Sequence, residues 1–319
     1  MKSNKIAIIG ECMIELSGTP FGVMKQSFGG DTLNAAIYLA RMSDEQVQTC
    51  YVSALGDDAL SDGMIERWQD ERINTDWVLR DNVHSTGLYM IHVDNEGERS
   101  FQYWRSQSAA KHMFQHSGWN RIAAQMADVK LIFLSGISLA ILPEQDRKIL
   151  LTLLAVYKAN GVEIVFDSNH RPALWQDADL ARHAYQQLLA ITDIALVTFD
   201  DEAMVWQDGT PDDTLLRLKQ LGVNKVVVKL GAQGCLSQDF QTQSEPQSIP
   251  ANSVEQVVDT TSAGDSFNGA FLAQYVSGKP LSACCQAGNL LASHVIQHSG
   301  AIIDLDVTTP IKAQIKELK

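Results

Sequence analysis

Residues 259–271 read DTTSAGDSFNGAF, and the stretch changes character halfway along. The polar run Asp259–Ser262 ends in Ala263-Gly264 and passes straight into SFNGAFLAQYV, whose apolar spacing reads as a buried helix. Gly264 lets backbone approach a ligand closely, and the first amides of the helix face outward as a ready anion site. Asp265 sits on that first turn. A carboxylate beside an anion site is electrostatically awkward unless one reaction needs both. Phosphoryl transfer is such a reaction: amides hold the charge developing on the moving group, and the carboxylate accepts the attacking hydroxyl's proton. Read alone, the same pattern also describes a capped helix with a dipole-favourable Asp.

Outward from this stretch, short apolar runs alternate with helical periodicity. KIAIIG (5–10), LIFLSG (131–136), VEIVFD (162–167), IALVTF (194–199) and KVVVKL (225–230) read as buried parallel strands. Helices are expected over 144–160, 175–190, 264–276, 281–297 and about 309–318. Such alternation predicts an α/β fold with a mainly parallel sheet, helices on both faces, and ligands along the strands' carboxyl edge. Thr86–Asp94 and Glu98–Trp104, joined by Asn95-Glu96-Gly97, read as a hairpin forming a separate layer. No repeat or low-complexity linker divides residues 1–319, so one continuous unit is expected.

Composition narrows the function. A net charge of −13 argues against nucleic acid or an anionic membrane as partner, and leaves local Lys, Arg and amide groups to attract any anionic ligand. No run is long enough to span a membrane, and Met1-Lys2-Ser3-Asn4 leads directly into a strand rather than a signal-peptide core. Five cysteines without framework spacing fit a reducing cytoplasm, with adjacent Cys284 and Cys285 read as helix packing. His294 and His298 share a helix face, but with no third ligand nearby the pair reads as incidental.

Other polar clusters fall where the carboxyl-edge rule expects them. Gly29-Gly30 precede a helix begun by Asp31 and Thr32, with Asn34 on its first turns, and Glu11 and Glu15 are candidate hydroxyl acceptors. In Lys229-Leu230-Gly231-Ala232-Gln233-Gly234 the lysine can neutralise phosphate and the glycines can admit a nucleotide, although a plain hairpin would read the same way. No GxxxxGK[ST] occurs, since Gly278-Lys279 is followed by Pro280, so a P-loop kinase is excluded. No GxGxxG follows the first strand, which weighs against a dinucleotide fold.

DTTSAGDSFNGAF closely resembles the carboxyl-terminal signature of the ribokinase-like (PfkB) sugar kinases, DTTGAGD followed by F and G, with Ser262 where Gly is commoner. GG-x-x-x-N at Gly29–Asn34, then a strand and Gly56-Asp57-Asp58, is similar to that family's first half. The resemblance implies that Asp265 is the general base and that the amides of Ala263, Gly264 and Asp265 form the anion hole. It also implies that Gly30, Asp31 and Asn34 touch the sugar. Lys229, Gly231, Gly234, Ser262, Gly264 and Asn289 would border ATP, with Gly300-Ala301 on the adenine side. TFDDEA (198–203) resembles the family's NxxE motif, with Phe199 where Asn is typical, and implies that Glu202 places Mg²⁺ through water. The implied cofactors are ATP and Mg²⁺, with a monovalent cation such as K⁺ as a further candidate. The hairpin, with strands near 12–28, would form a β lid over about 12–28 and 84–108 that excludes water and joins copies into a homo-oligomer.

Arg105, just after the hairpin, and Arg171, at a strand's end, suit a carboxylate better than a neutral sugar. Tyr89 and Tyr103 can add hydroxyl donors. Together with GECMIEL (10–16), the run Tyr103-Trp104-Arg105-Ser106 and Asp167-x-Asn169-x-Arg171, these resemble the sugar-acid branch of the family. The implied acceptor is 2-dehydro-3-deoxy-D-gluconate, phosphorylated on its far-end hydroxyl. A fructose, ribose or nucleoside kinase is the nearest alternative, and a non-catalytic sugar or nucleotide sensor the more distant one.

Overall fold

In a buried strand, successive side chains point to opposite faces, so an unbroken apolar run can serve two cores at once. The computed structural model, which describes residues 3–93, 99–242 and 245–318, shows this arrangement. Its strands are β1 (Lys5–Ile9), β2 (Met13–Gly18), β3 (Met24–Gly29), β4 (Gln48–Gly56), β5 (Ile73–Asn74), β6 (Val78–Asp81) and β7 (Leu88–Val93). They continue with β8 (Arg99–Trp104), β9 (Leu131–Ser135), β10 (Glu163–Asp167), β11 (Ile194–Thr198), β12 (Lys225–Lys229), β13 (Cys235–Asp239) and β14 (Gln247–Ile249). The helices are α1 (Asp31–Met42), α2 (Ala59–Asp70), α3 (Trp119–Met126), α4 (Gly136–Ala140), α5 (Glu144–Ala159) and α6 (Ala178–Leu189). They end with α7 (Phe199–Trp206), α8 (Pro211–Gln220), α9 (Ala263–Val276), α10 (Leu281–Val295) and α11 (Leu305–Lys316).

The main sheet runs β14-β13-β12-β11-β10-β9-β1-β4-β5, with β6 also paired to β4. All its pairings are parallel except those of β13, which opposes both neighbours. Ile6 and Ile8 pack with Leu33, Ile37, Phe271, Leu291 and Ile315 of α1, α9, α10 and α11. Ala7 and Ile9 face the opposite core, with Leu150, Leu154, Leu188 and Leu218 of α5, α6 and α8. A second, four-stranded sheet has the order β3-β2-β7-β8. Its β7–β8 pair is the expected antiparallel hairpin, although the turn at Asn95-Glu96-Gly97 lies outside the described residues.

Some expected boundaries move. The helix anticipated from Trp175 begins at Ala178, because the Asp177 side chain caps it by accepting from the Leu180 amide at 2.8 Å. The last helix starts at Leu305 rather than Thr309, carrying Pro310 inside it. The hydroxyls of Thr308 and Thr309 both donate back to the Leu305 carbonyl (3.0 and 2.9 Å). The KLGAQG segment is a hairpin between β12 and β13, closed by the Leu230 amide on the Gly234 carbonyl at 2.8 Å.

One close approach brings two helix starts together. Helix α9 crosses α1 at Gly269, where an added Cβ would lie 2.8 Å from both the Ala35 carbonyl oxygen and the Leu39 amide nitrogen. Helix propensity alone makes Gly269→Ala stabilising by about 1 kcal/mol. Overpacking against backbone that cannot yield should cost about 1–3 kcal/mol instead. The denaturant midpoint of Gly269→Ala is therefore expected to fall, and a rise would show that the two helices are free to separate.

Candidate active site

The carboxyl ends of β1, β10, β11 and β12 meet the amino ends of α1 and α9, as the doubly wound arrangement requires. The loop before α9 is pinned by Asp259, whose carboxylate accepts from the Thr261 amide (3.0 Å) and the Gly300 amide (2.7 Å). Ser262 then takes a left-handed conformation, φ 64°. Gly is favoured there because a Cβ is disfavoured, which explains why Ser at this point is the departure. The Ala263 amide closes the turn onto the Thr260 carbonyl at 3.2 Å. Among the described residues the amides of Gly264 and Asp265 make no such bond, so two of the three expected anion-hole donors stay available.

Lys229 stands beside them: its Nζ lies 3.5 Å from where a Cβ on Gly264 would be. The lysine is buried and donates to Asp167 Oδ2 (3.2 Å) and Asn268 Oδ1 (3.3 Å). Asn268 in turn donates to Asp167 at 2.7 Å. Asn268 is not singled out by the sequence, and Asp167 enters there only within the run Asp167-x-Asn169-x-Arg171. Their signals were a carboxylate closing an apolar strand and one amide inside an apolar helix.

Asp265 Oδ2 accepts from Asn34 Nδ2 at 2.9 Å, joining the first turns of α9 and α1. Burial, followed by the negative charge of Asp31, pushes the Asp265 carboxyl up to about 7. Asp31 accepts from Asn169 at 2.7 Å, tying α1 to the loop after β10. Asp201 is raised to about 6, by burial and then by Asp167, while accepting from the His170 amide at 3.1 Å. Glu202 is raised to about 7 by burial even though Arg217 Nη2 donates to it at 2.6 Å. Arg217 also bonds Asp208 at 2.7 Å and stacks 4.6 Å over Trp206, so α8 holds Glu202 from behind. Among the described residues no group of three or more His, Cys, Asp or Glu is gathered as a metal cage, and this covers His294 and His298.

On the small-sheet side, Tyr89 donates its hydroxyl to Glu15, in space that Gly29 leaves clear. Tyr103 is paired across the strands with Tyr89 and is half exposed. Arg105 forms an ion pair with buried Glu11, and its guanidinium lies 5.9 Å over the Tyr103 ring. Arg171 is exposed, with a bond at 2.9 Å to its neighbour's carbonyl at His170. Among the described residues the buried atoms Asn34 Oδ1, Glu11 Oε1, Arg105 Nε and, close by, Ser108 Oγ have no hydrogen-bond partner.

Two expected nucleotide-side residues serve the fold. Asn289 spends its amide hydrogens on the carbonyls of Ile249 (3.2 Å) and Pro250 (3.0 Å). Gly234, at φ 94°, lets β13 pass so close to β14 that a Cβ would sit 2.2 Å from the Ile249 oxygen. Gly231, at φ 56°, instead faces open space.

The pfkB family carbohydrate kinase pattern matches residues 3–308. A 2-dehydro-3-deoxygluconokinase of Haemophilus influenzae is 54% identical over 301 residues, 94% of this chain and 96% of that protein. The 2-dehydro-3-deoxygluconokinase of Dickeya dadantii is 44% identical over 310 residues, covering 96% and 99%. Among solved structures, a putative ribokinase II from E. coli in complex with ATP and Mg²⁺ superposes with a TM-score of 0.82 at 23% identity, covering 98% and 99%.

The raised Asp265 carboxyl makes a stability prediction. Its native value lies above the unfolded value of 3.8, so the native state binds the extra proton between 3.8 and about 7 and loses stability as pH rises through that window. Asp265→Asn carries no such penalty. Its melting temperature is expected to exceed that of the wild type at pH 8, with the gap narrowing as pH falls to 5. A gap independent of pH would mean the carboxyl titrates normally.

Proposed function

The chain belongs to the pfkB family of carbohydrate kinases, and from that premise we propose that it transfers the γ-phosphoryl group of ATP to 2-dehydro-3-deoxy-D-gluconate, giving the 6-phosphate. The observation that carries the proposal is the junction of α1 and α9. There a carboxyl poised near neutrality stands on the same turn as two free amides, with Lys229 alongside. The identity of the acceptor rests on the named relatives at 54% and 44% identity.

In the proposed reaction Asp265 takes the proton of the acceptor's terminal hydroxyl as its oxygen bonds to the γ-phosphorus. The bond from that phosphorus to the bridging oxygen breaks, and ADP leaves. The Gly264 and Asp265 amides and Lys229 stabilise charge on the moving group. Ala263 and Ser262 shape the turn that aims them, and Gly231 gives the nucleotide bare backbone to lie against. Glu202 would place a hard divalent cation through water, with Asp167 and Asp201 as further oxygen donors along the same edge, so most of its ligands would be water and phosphate oxygens. Bound there, Mg²⁺ would supply neutralisation of phosphate charge. Gly30, Asp31, Asn34, Tyr89, Tyr103, Arg105 and Arg171 form the acceptor side. The four-stranded sheet acts as the lid that keeps water from the phosphoryl group. Its exposed Phe101, Tyr103 and Trp104 supply the contact between copies. The five cysteines, all free and buried, suit a cytoplasmic setting.

A coupled ADP-release assay across sugar acids and neutral sugars tests the substrate, and preference for a neutral sugar overturns it. Asp265→Asn should lower kcat by roughly 10²–10⁴ with ATP and acceptor binding retained. The wild-type kcat/KM should rise with pH through an acid limb near 7, since the base works deprotonated. Turnover by Asp265→Asn near the wild-type rate, or a flat profile from pH 5 to 8, contradicts the role of base. Arg171→Ala should raise KM for the acid far more than for its uncharged analogue, and equal losses would remove Arg171 from carboxylate recognition.

A further inference from the structure

We propose that Glu11 is a specificity-determining residue of the acceptor site: its Oε1 receives a hydroxyl of the sugar acid while its Oε2 fixes Arg105 beside it. The inference rests on the kinase reading and goes further, because it divides the work of recognition between two parts of the site. Glu11 stands two residues beyond β1, between the main sheet and the small one, and is 2% exposed. A carboxylate so buried persists only when paired and hydrogen-bonded. Arg105 Nη2 meets that need for Oε2 alone. A carboxylate has about four acceptor positions, and among the described residues Oε1 has no partner, nor does Nε of the paired Arg105.

Two glycines let the chain close in on Glu11 where any further side chain would crowd it. A Cβ on Gly87, just before β7, would stand 3.0 Å from Glu11 Oε1 and 3.4 Å from Arg105 Cβ. A Cβ on Gly30, just before α1, would stand 2.2 Å from the Glu11 carbonyl oxygen. Glu15, the other acidic candidate of this segment, is only part-buried and receives the Tyr89 hydroxyl, so the carboxylate oxygen left both buried and unpartnered among the described residues is Glu11 Oε1.

Charge balance completes the division. The Glu11–Arg105 pair is neutral and offers an acid no net attraction, but it presents a donor and an acceptor side by side, which is what a polyol binds. Among the described residues no salt bridge engages Arg171, so its positive charge is the one free to meet the carboxylate. Arg171 then reads the acid end, and Glu11 with Arg105 reads a secondary hydroxyl.

The test compares kcat/KM for 2-dehydro-3-deoxy-D-gluconate with analogues each lacking one secondary hydroxyl, in the wild type and in Glu11→Gln. The wild type should disfavour one such analogue by about 10–100-fold, as for a lost hydrogen bond to a charged group. In Glu11→Gln that preference should shrink to about twofold or less, with discrimination at the other hydroxyl and between acid and neutral sugar unchanged. Gly87→Ala, which crowds Oε1 without removing the ion pair, should reproduce the same selective loss and serves if Glu11→Gln does not fold. Wild-type turnover with the same discrimination in both variants overturns the inference alone. Equal losses for every analogue reduce Glu11 to a structural partner of Arg105 and also overturn it. A wild type that phosphorylates no sugar acid overturns the kinase reading and this inference together.

Discussion

The contact on which the site depends is the bare-backbone crossing of α1 and α9 at Gly269. Helices normally pack 8–10 Å apart because side chains intervene. A glycine at the crossing removes that spacer, and the two amino termini converge on the carboxyl edge of the sheet. Each terminus carries partial positive charge and amides without helical partners, so their convergence sets anion-binding backbone beside the carboxylates of Asp31 and Asp265. Asn34 and Asp265 sit on the first turns of these helices, and the 2.9 Å bond between them becomes possible because of that crossing. The loop leading to α9 is stabilised separately, through Asp259 and Gly300, so the geometry of the amides does not rely on any ligand.

Cations in the site arrive already engaged. Lys229 is held by Asp167, and Arg105 by Glu11. Pairing with Asp167 fixes where the Lys229 ammonium sits, beside the amide of Gly264. Pairing also sets a threshold: a ligand has to compete with a carboxylate, or bring its own cation to occupy it. A magnesium–nucleotide complex would do the second: Asp167 would offer the metal its oxygens and Lys229 would meet phosphate charge. The amides of Gly264 and Asp265 carry no such encumbrance among the described residues, so they would meet an anion without rearrangement.

The layered α/β plan and the site at its carboxyl edge were legible because their signals are local. Short unbroken apolar runs mark the strands, and Gly264-Asp265 before an apolar run marks the helix start. Asn34 could be placed near the sugar by motif, whereas its bond to Asp265 spans 231 positions in sequence and leaves no local trace. The bond of Asp167 to Asn268 was illegible for the same reason, the two being 101 residues apart, although Asp167 itself stands in a recognisable run. Helix α8 was missed despite a good signal, Thr210-Pro211-Asp212-Asp213, in which Thr210 and Asp213 cap one another through bonds of 3.2 and 2.9 Å. Asn289 shows the same limit from another side. Its motif carried no sign that its amide hydrogens satisfy the carbonyls of Ile249 and Pro250 at the sheet edge.

Four carboxylates, Asp31, Asp167, Asp201 and Asp265, act on one another's charge at this edge, and two of them are pushed far up, with burial the larger cause and this repulsion the next. A fold selected for stability alone would have replaced some of them with amides, because buried like charges cost free energy whenever they ionise. Their persistence makes sense if the repulsion is relieved in the working state. A divalent cation and a hydroxyl proton both lower the negative charge there, so binding and folding become linked. Burial and repulsion together raise the Asp265 carboxyl toward neutrality, which is what the proposed proton transfer needs. The instability of the free site and the proposed reactivity of Asp265 thus have one electrostatic origin, and a substitution that relieves the first should blunt the second.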